Sequence, residues 1–239
     1  YGGVAEPLVV GDDLYVLDCQ NRRKQYLKKY DRRSGKLLWT SPEIPDARAI
    51  PGIYTHGDKV ILQIGGQVET QAYIRRTERQ PDGSTRIIQE WRREWVNVKP
   101  YGLKAFNTTD GSLVWESERF KKGITNAFVE NGTLYVCSGK ALYAMDPATG
   151  KENYEVPIGD DNVGDATLVL PFKDKVVVVG EKGVSTHGMA DGKLVNSGKY
   201  KSARFLDQYG EMVLMQTDGE DIAAFDLNTC TFKQYNARN

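Results

Sequence analysis

Two histidines, three cysteines and one cluster of carboxylates are the side chains best suited to chemistry here, and their spacing organises little of it. His56 and His187 stand in turn-like segments with no Cys or acidic ligand pattern beside them. A working histidine needs a partner within hydrogen-bond reach, so both read as solvated turn residues. Gly159-Asp-Asp-Asn-Val-Gly-Asp165 gathers three carboxylates and an amide on one loop. These are the hard oxygen ligands that calcium prefers, but the spacing is not that of an EF-hand, and the segment reads as a polar connection. Cys19, Cys137 and Cys230 are far apart, odd in number and without a CxxC pair. That excludes a disulfide framework or a zinc site, and they read as small buried hydrophobes. No Gly-rich phosphate loop and no Gly-x-Ser-x-Gly elbow occurs. No residue is assigned to catalysis, a metal or a cofactor.

The elements around these residues come from composition and from a repeat. In 239 residues, Lys plus Arg and Asp plus Glu each number 32, so no global field favours nucleic acid or an anionic membrane. The 24 Gly and 13 Tyr favour strands and tight turns over helices. No apolar run approaches the ~20 residues that a spanning helix requires. The chain opens on Tyr1-Gly-Gly-Val-Ala-Glu-Pro with no signal peptide, and leads straight into a strand. It looks trimmed, so a missing leader does not argue against export.

An Asp-like residue, a Gly four places later and often an aromatic four beyond that recur five times. The copies run Asp31 to Gly35 with Trp39, Asn107 to Gly111 with Trp115, and Asp146 to Gly150 with Tyr154. Two worn copies follow, Gly188 to Gly192 with Asn196 and Asp226 to Cys230 with Gln234. Spacings between the fifth positions are 76, 39, 42 and 38 residues, the first lengthened by an insertion. Self-similarity at this period means one supersecondary unit stacked on itself. Copy three shows the unit most clearly. Ala127-Phe-Val precedes Asn131-Gly132, a type I′ hairpin signal. Then come Thr133 to Cys137, a turn, Ala141 to Met145, the Gly phrase, and Glu152 to Val156. Four short antiparallel strands per unit make a blade of a β-propeller, an all-β domain over 1–239 with five repeats visible. The second strands, Leu14 to Leu17, Val60 to Leu62, Leu134 to Cys137, Val176 to Val179 and Met212 to Met215, are nearly continuous in apolar residues. This predicts cover on both faces. Asp or Asn at the head of the phrase closes the turn, and the aromatic is expected to pack on the outer strand.

Leu142-Tyr-Ala-Met-Asp-Pro-Ala-Thr-Gly-Lys151 resembles the repeat of the quinoprotein-dehydrogenase-like (PQQ-like) propellers, as do the stretches Leu103 to Trp115 and Tyr30 to Trp39. The resemblance extends over essentially the whole chain. It implies a ring that closes with seven or eight blades. Five repeats then imply a small or incomplete ring, or a segment of a longer propeller; the segment is favoured because neither end offers a spare strand. The superfamily includes quinone-dependent alcohol dehydrogenases and the lipoprotein scaffold of bacterial outer-membrane protein assembly. The quinone site of the enzymes uses adjacent cysteines, a calcium-ligand set and a catalytic Asp. No Cys-Cys pair exists here and no residue matches the ligands or the base. The resemblance therefore implies the fold, and the non-catalytic branch rather than the activity.

The repeat does not require one segment. Gln67 to Pro100, between the second and third strands of copy two, adds some thirty residues with Pro81-Asp-Gly-Ser84 at their centre. With Asp82-Gly83 as a two-residue tip, Arg75 opposes Glu90 and Ile74 opposes Trp91. One face then carries Ile74, Ile87, Trp91 and Trp95, and the other Tyr73, Arg75 and Arg92. A lone ribbon is marginal in water, so the aromatic face must cover its own blade or a partner. Copy one has an enlarged link at the same place, Asp18 to Lys24, which should set Arg22, Arg23 and Lys24 beside the base of the hairpin. The candidate partner-binding residues are Arg22, Arg23, Lys24, Tyr73, Arg75, Trp91, Arg92 and Trp95, since Trp, Tyr and Arg anchor interfaces. The expected function is a non-catalytic protein-binding or assembly scaffold in the periplasm, at the cell surface or secreted, with no cofactor, nucleic acid or membrane span. Its alternatives are a segment of a quinone-dependent dehydrogenase and a carbohydrate-binding propeller using Trp91 and Trp95.

Overall fold

The computed structural model of the chain describes residues 3–21, 24–159, 162–200, 203–217 and 222–235. They form five four-stranded antiparallel sheets, each built from strands consecutive in sequence. Blade 1 holds β1 (Leu8–Val10), β2 (Asp13–Asn21), β3 (Lys24–Asp31) and β4 (Leu37–Thr40). Blade 2 holds β5 (Gly52–His56), β6 (Lys59–Arg79), β7 (Thr85–Asn107) and β8 (Leu113–Glu116). Blade 3 holds β9 (Ala127–Glu130), β10 (Thr133–Ser138), β11 (Ala141–Met145) and β12 (Glu152–Pro157). Blade 4 holds β13 (Ala166–Phe172), β14 (Lys175–Gly180), β15 (Gly183–Gly188) and β16 (Leu194–Lys199). Blade 5 holds β17 (Ala203–Tyr209), β18 (Met212–Thr217), β19 (Ile222–Asp226) and β20 (Thr231–Tyr235). This is the meandering four-stranded blade that the repeat predicts. Asn131 and Gly132 both take positive φ, as the type I′ turn between β9 and β10 demands.

The five-residue phrase is one turn made five times. Its last residue donates its N–H to the carbonyl of its first: Gly35 to Asp31, Gly111 to Asn107, Gly150 to Asp146, Gly192 to Gly188 and Cys230 to Asp226. Where the first residue is Asp or Asn, its side chain also accepts a backbone N–H, from Ser34, Thr109, Ala148 and Asn228. The Ser34 hydroxyl on Asp31, the Thr149 hydroxyl on Asp146 and the Thr229 N–H on Asp226, together with these bonds, hold the three carboxyls below their ordinary range.

The trailing aromatic corrects an expectation. It does not pack on its own outer strand; it crosses to the next blade. Trp39 Nε1 donates to Thr108 O and Trp115 Nε1 to Pro147 O, both at 3.0 Å, and Tyr154 Oη reaches Met189 O at 3.0 Å. Asn196 Nδ2 does the same to Asn228 O at 3.0 Å. Each ring lies so close over the next phrase that a Cβ on Gly111, Gly150 or Gly192 would stand 2.5–2.6 Å from it. Glycine is required there by close approach as much as by φ.

Burial follows the stacking. Four apolar cores fill the spaces between blades 1 and 2, 2 and 3, 3 and 4, and 4 and 5. Among the described residues no such core joins blade 5 to blade 1. The second strands of the inner blades are accordingly buried on both faces, as in β10 and β14. Those of the terminal blades are not. Along β18, burial alternates, with Val213, Met215 and Thr217 enclosed and Met212, Leu214 and Gln216 partly open. In β2, Tyr15 and Leu17 are buried while Leu14 and Val16 are only half-buried. Among the described residues, the second strands of blades 1 and 5 are thus covered on one face, whereas cover on both is expected.

Candidate functional site

The insertion is the outer half of β6 and β7, which pair continuously from the blade out to Arg79 and Thr85. It leaves the blade at a bulge where Gly65 sits opposite Lys99 to Tyr101 and the register shifts. Gly65 has φ +70, and a Cβ there would meet Pro100 O, so the bend needs a glycine. At the tip Gly83 N–H donates to Gln80 O and Gln80 N–H to Ser84 O. Only Gly83 takes positive φ in this turn. The loop is thus a three-residue type I turn with a G1 bulge. Pro81 favours it, because the φ fixed by its ring suits the second position of a type I turn. Asp82 accepts both the N–H and the hydroxyl of Ser84, which keeps its carboxyl below the usual range.

That tip moves the register by one residue from the two-residue reading. Arg75 faces Gln89, not Glu90; Ile74 faces Glu90, not Trp91; and Tyr73 faces Trp91. A slip of one exchanges faces. Tyr73 and Arg75 therefore join Ile87, Trp91 and Trp95, while Ile74 lies on the opposite face; the side chain of Arg92 lies outside the described residues. The side chains agree. The Tyr73 and Trp91 rings sit 5.1 Å apart, and the Tyr73 hydroxyl donates to Gln89 Oε1 at 2.6 Å. On the other face Arg76 pairs with Glu90 at 3.8 Å, and Ala72, Ile74 and Ile88 are half-buried.

Among the described residues, the aromatic face is largely open to solvent. Trp91 and Trp95 are each 67% exposed, and Tyr73 and Ile87 about half. At its inner end the stripe reaches a cavity of about 720 Å³ among the inner strands of blades 2 to 5, lined by Trp95, Glu69, Tyr54, Asn126, Leu168 and Phe205. Tyr54 and Asn126 of that cavity are engaged. Tyr54 Oη donates to Gln63 Oε1 and accepts from Ala127 N–H, and Asn126 bonds both backbone groups of Val169.

Of the other sequence candidates, Lys24 opens β3 and is exposed, while Arg22 and Arg23 lie outside the described residues. On either side of them β2 and β3 extend as a ribbon to the Asn21–Lys24 pair. Asp160 and Asp161 of the acidic loop also lie outside the described residues. His187 is the clearest correction among the chemical side chains. It is not a solvated turn residue; it is enclosed in β15 with no exposed surface. Its Nδ1–H donates to Gly192 O at 2.9 Å, and Nε2 lies 3.0 Å from the Ser185 hydroxyl, which also reaches Ile158 O at 2.7 Å. Burial pushes its pKa below the ordinary value. Its place just before the phrase is filled elsewhere by Tyr30, Phe106, Met145 and Phe225, and that alignment was the available signal. Cys137 and Cys230 are buried and Cys19 half-buried, all three free, with burial pushing the thiols up.

A PQQ-like family model described as outer membrane protein assembly factor BamB matches residues 102–231, more than half of the chain. The chain belongs to this family. Among solved structures it is similar to BamB from Moraxella catarrhalis, at TM-score 0.58 and 13% identity, over 99% of this chain and 76% of that one. It is also similar to the computationally designed Ika8 protein, at TM-score 0.62 and 13% identity, over 97% of this chain and 61% of that one. Among curated proteins, tetrathionate hydrolase of Acidithiobacillus ferrooxidans is 24% identical over 170 residues. That alignment covers 70% of this chain and 31% of the hydrolase, so the chain spans about a third of that relative's length. At these identities the solved structures share the fold. The family match begins at residue 102, just past the inserted hairpin, which stands outside the matched segment.

Proposed function

We propose that this member of the family is a non-catalytic propeller that binds a protein partner along the aromatic stripe of the inserted hairpin. One observation carries the reading. Tyr73, Ile87, Trp91 and Trp95 are exposed together on a ribbon that contributes to none of the four inter-blade cores. A contiguous aromatic surface held on a rigid scaffold is the usual composition of an interface hot spot. A partner segment lying on the stripe runs from the tip toward the central cavity, with Trp95 belonging to both. Arg75 flanks it, and Lys24 of blade 1 belongs to the proposed rim. The description of the family as an assembly factor of outer membrane proteins supports a scaffold role outside the cytoplasm, in the periplasm, at the surface or after secretion. A hydrolase reading, after the curated relative, gains nothing from the Ser185–His187 pair, which is sealed between sheets and gives a substrate no path.

Two variants test this. In one, Glu69 to Trp95 is replaced by Asn-Gly; in the other, the hairpin keeps its length with Trp91→Ala and Trp95→Ala. Each is immobilised beside the wild type in an envelope extract of the producing organism, and captured proteins are identified by mass spectrometry. A specific partner of the wild type should be lost from both variants, with the melting temperature unchanged to within about 2–4 °C, the equivalent of ~1 kcal/mol. Undiminished capture of that partner by both variants overturns the reading.

A further inference from the structure

The inserted hairpin presents a row of backbone groups beside its rings. Strand β5 pairs with β6 only as far out as Gln63, and β8 with β7 only over Lys104 to Phe106. Beyond the bulge, among the described residues, the outer halves of β6 and β7 pair only with each other. Gln80 N–H donates to Ser84 O, so that pair is hydrogen-bonded and the next one in, Arg79–Thr85, is not. The two kinds alternate down an antiparallel ribbon. Thr77–Ile87, Arg75–Gln89 and Tyr73–Trp91 are therefore non-hydrogen-bonded pairs, whose N–H and C=O groups point outward from the ribbon. The close approach of the Tyr73 and Trp91 rings suits such a pair. Ile87, Gln89 and Trp91 thus present an open sheet edge and the aromatic face together.

Charge is sorted along the same face. From the tip to Trp91 its charged side chains, among the described residues, are Arg75 and Arg79, both exposed. The opposite face is balanced, with Arg76 and Arg86 against Glu78 and Glu90. At the inner end, Glu69 and Glu181 are the charged side chains lining the cavity, and no lysine or arginine among the described residues lines it. The large rings stand behind a polar tip, Gln80-Pro-Asp-Gly-Ser84, which suits a polypeptide along the ribbon better than insertion into a bilayer.

We propose that the partner's segment adds to β7 as a third, antiparallel strand, with alternate apolar side chains on the aromatic face, a basic N-terminal end and an acidic C-terminal end. This rests on the stripe being the partner site. The outward row of donors and acceptors selects an extended main chain, and the side chains beside it select its sequence. The antiparallel sense is the more stable per residue. Because β7 runs from the tip to the blade, such a strand starts at the cavity and ends near the tip. Its first residues meet Glu69 and Glu181, and its last meet Arg75 and Arg79.

The probe is the peptide Lys-Thr-Val-Thr-Val-Thr-Val-Thr-Glu, capped at both ends and titrated into the full chain, with tryptophan fluorescence and hydrogen exchange as readouts. It should change the fluorescence and slow exchange at the amides of Ile87, Gln89 and Trp91. The reversed sequence should bind about tenfold more weakly, as should the forward one to the Arg75→Glu, Arg79→Glu chain. N-methylation of the valines, whose N–H groups face β7 when their side chains lie on the aromatic face, should abolish binding; N-methylation of the central threonines should leave it. No binding, equal binding of both sequences, or indifference to the placement of the methyl groups overturns strand addition. Slow exchange at those amides before any peptide is added overturns it too, assigning the edge to a second copy if protection rises with protein concentration and to the chain itself if it does not. In each of these cases, loss of a captured partner from the Trp91→Ala, Trp95→Ala chain still upholds the stripe as the partner site, so the two readings fail separately.

Discussion

Two glycines with the same backbone and different surroundings allow the contact between blades to be weighed. Gly35 and Gly150 have φ of +70 and +71. A methyl at Gly35 meets nothing within 4 Å, whereas at Gly150 it stands 2.6 Å from Cδ2 and Cε3 of Trp115. Gly35→Ala therefore measures left-handed strain alone, about 1–2 kcal/mol. Gly150→Ala adds the displacement of a ring that is 8% exposed and tied by its Nε1 to Pro147 O at 3.0 Å. The clash is with the body of the indole and not with a flexible end, so the ring must tilt out of its bond. Overpacking of this kind costs about 1–3 kcal/mol, and Gly150→Ala should be the worse of the two by that margin. Equilibrium urea denaturation at one low protein concentration, followed by tryptophan fluorescence and circular dichroism, measures both. Gly111→Ala, whose Cβ would stand 2.5 Å from Trp39, should behave as Gly150→Ala does and controls for position in the array. In a Trp115→Leu background the excess should vanish, as a double-mutant cycle requires of a direct contact. Equal costs for Gly35→Ala and Gly150→Ala, or an excess that persists without the indole, would refute the reasoning.

The buried imidazole makes stability depend on pH. The folded state holds His187 neutral with its pKa lowered, while the unfolded chain protonates it near the ordinary value of about 6.5. Its contribution is thus complete above that value and is lost as pH falls toward the lowered folded pKa. Denaturation midpoints between about pH 7.5 and pH 5 should fall more steeply for the wild type than for His187→Met, the residue blade 3 uses at this place. Parallel slopes would remove His187 from the acid response. Leu134 and Leu214 test the uneven burial of the second strands. Leu134→Ala, between two blades, should cost about 2–5 kcal/mol, and Leu214→Ala, on the open face of blade 5, less than about 1 kcal/mol in urea titrations of the monomer. Comparable losses would mean that the blade 5 face is as enclosed as the inner ones.

The fold was legible because each blade declares itself locally. Asn131-Gly132 marks a hairpin by the φ values its residues tolerate, and the five Gly phrases mark the return to the outer strand. The site was legible only as a location. The extra length of Gln67 to Pro100 could be counted, but its register turned on whether Asp82 or Pro81 governs the tip. Both choices are sterically reasonable in a peptide, and one residue of difference decides whether Tyr73 lies with Trp91 or against it. The burial of His187 was hidden for another reason: polarity suggested solvent, although the aligned neighbours Phe106 and Met145 pointed to the core.

The sequence by itself determined the blade, its four strands, its turns and the place where the repeat is interrupted. All of these rest on contacts between residues close along the chain. Tertiary structure alone decided which surfaces remain open. The repeat writes Leu14-Tyr-Val-Leu17 and Met212-Val-Leu-Met215 in the same apolar idiom as the inner strands. Only the stacking shows that, among the described residues, these two are packed on one side. The crossing of Trp39, Trp115 and Tyr154 onto the next blade's glycine, and the open turn at Gly35, have the same origin. They depend on the position of the adjoining blade, a long-range arrangement that no local pattern encodes.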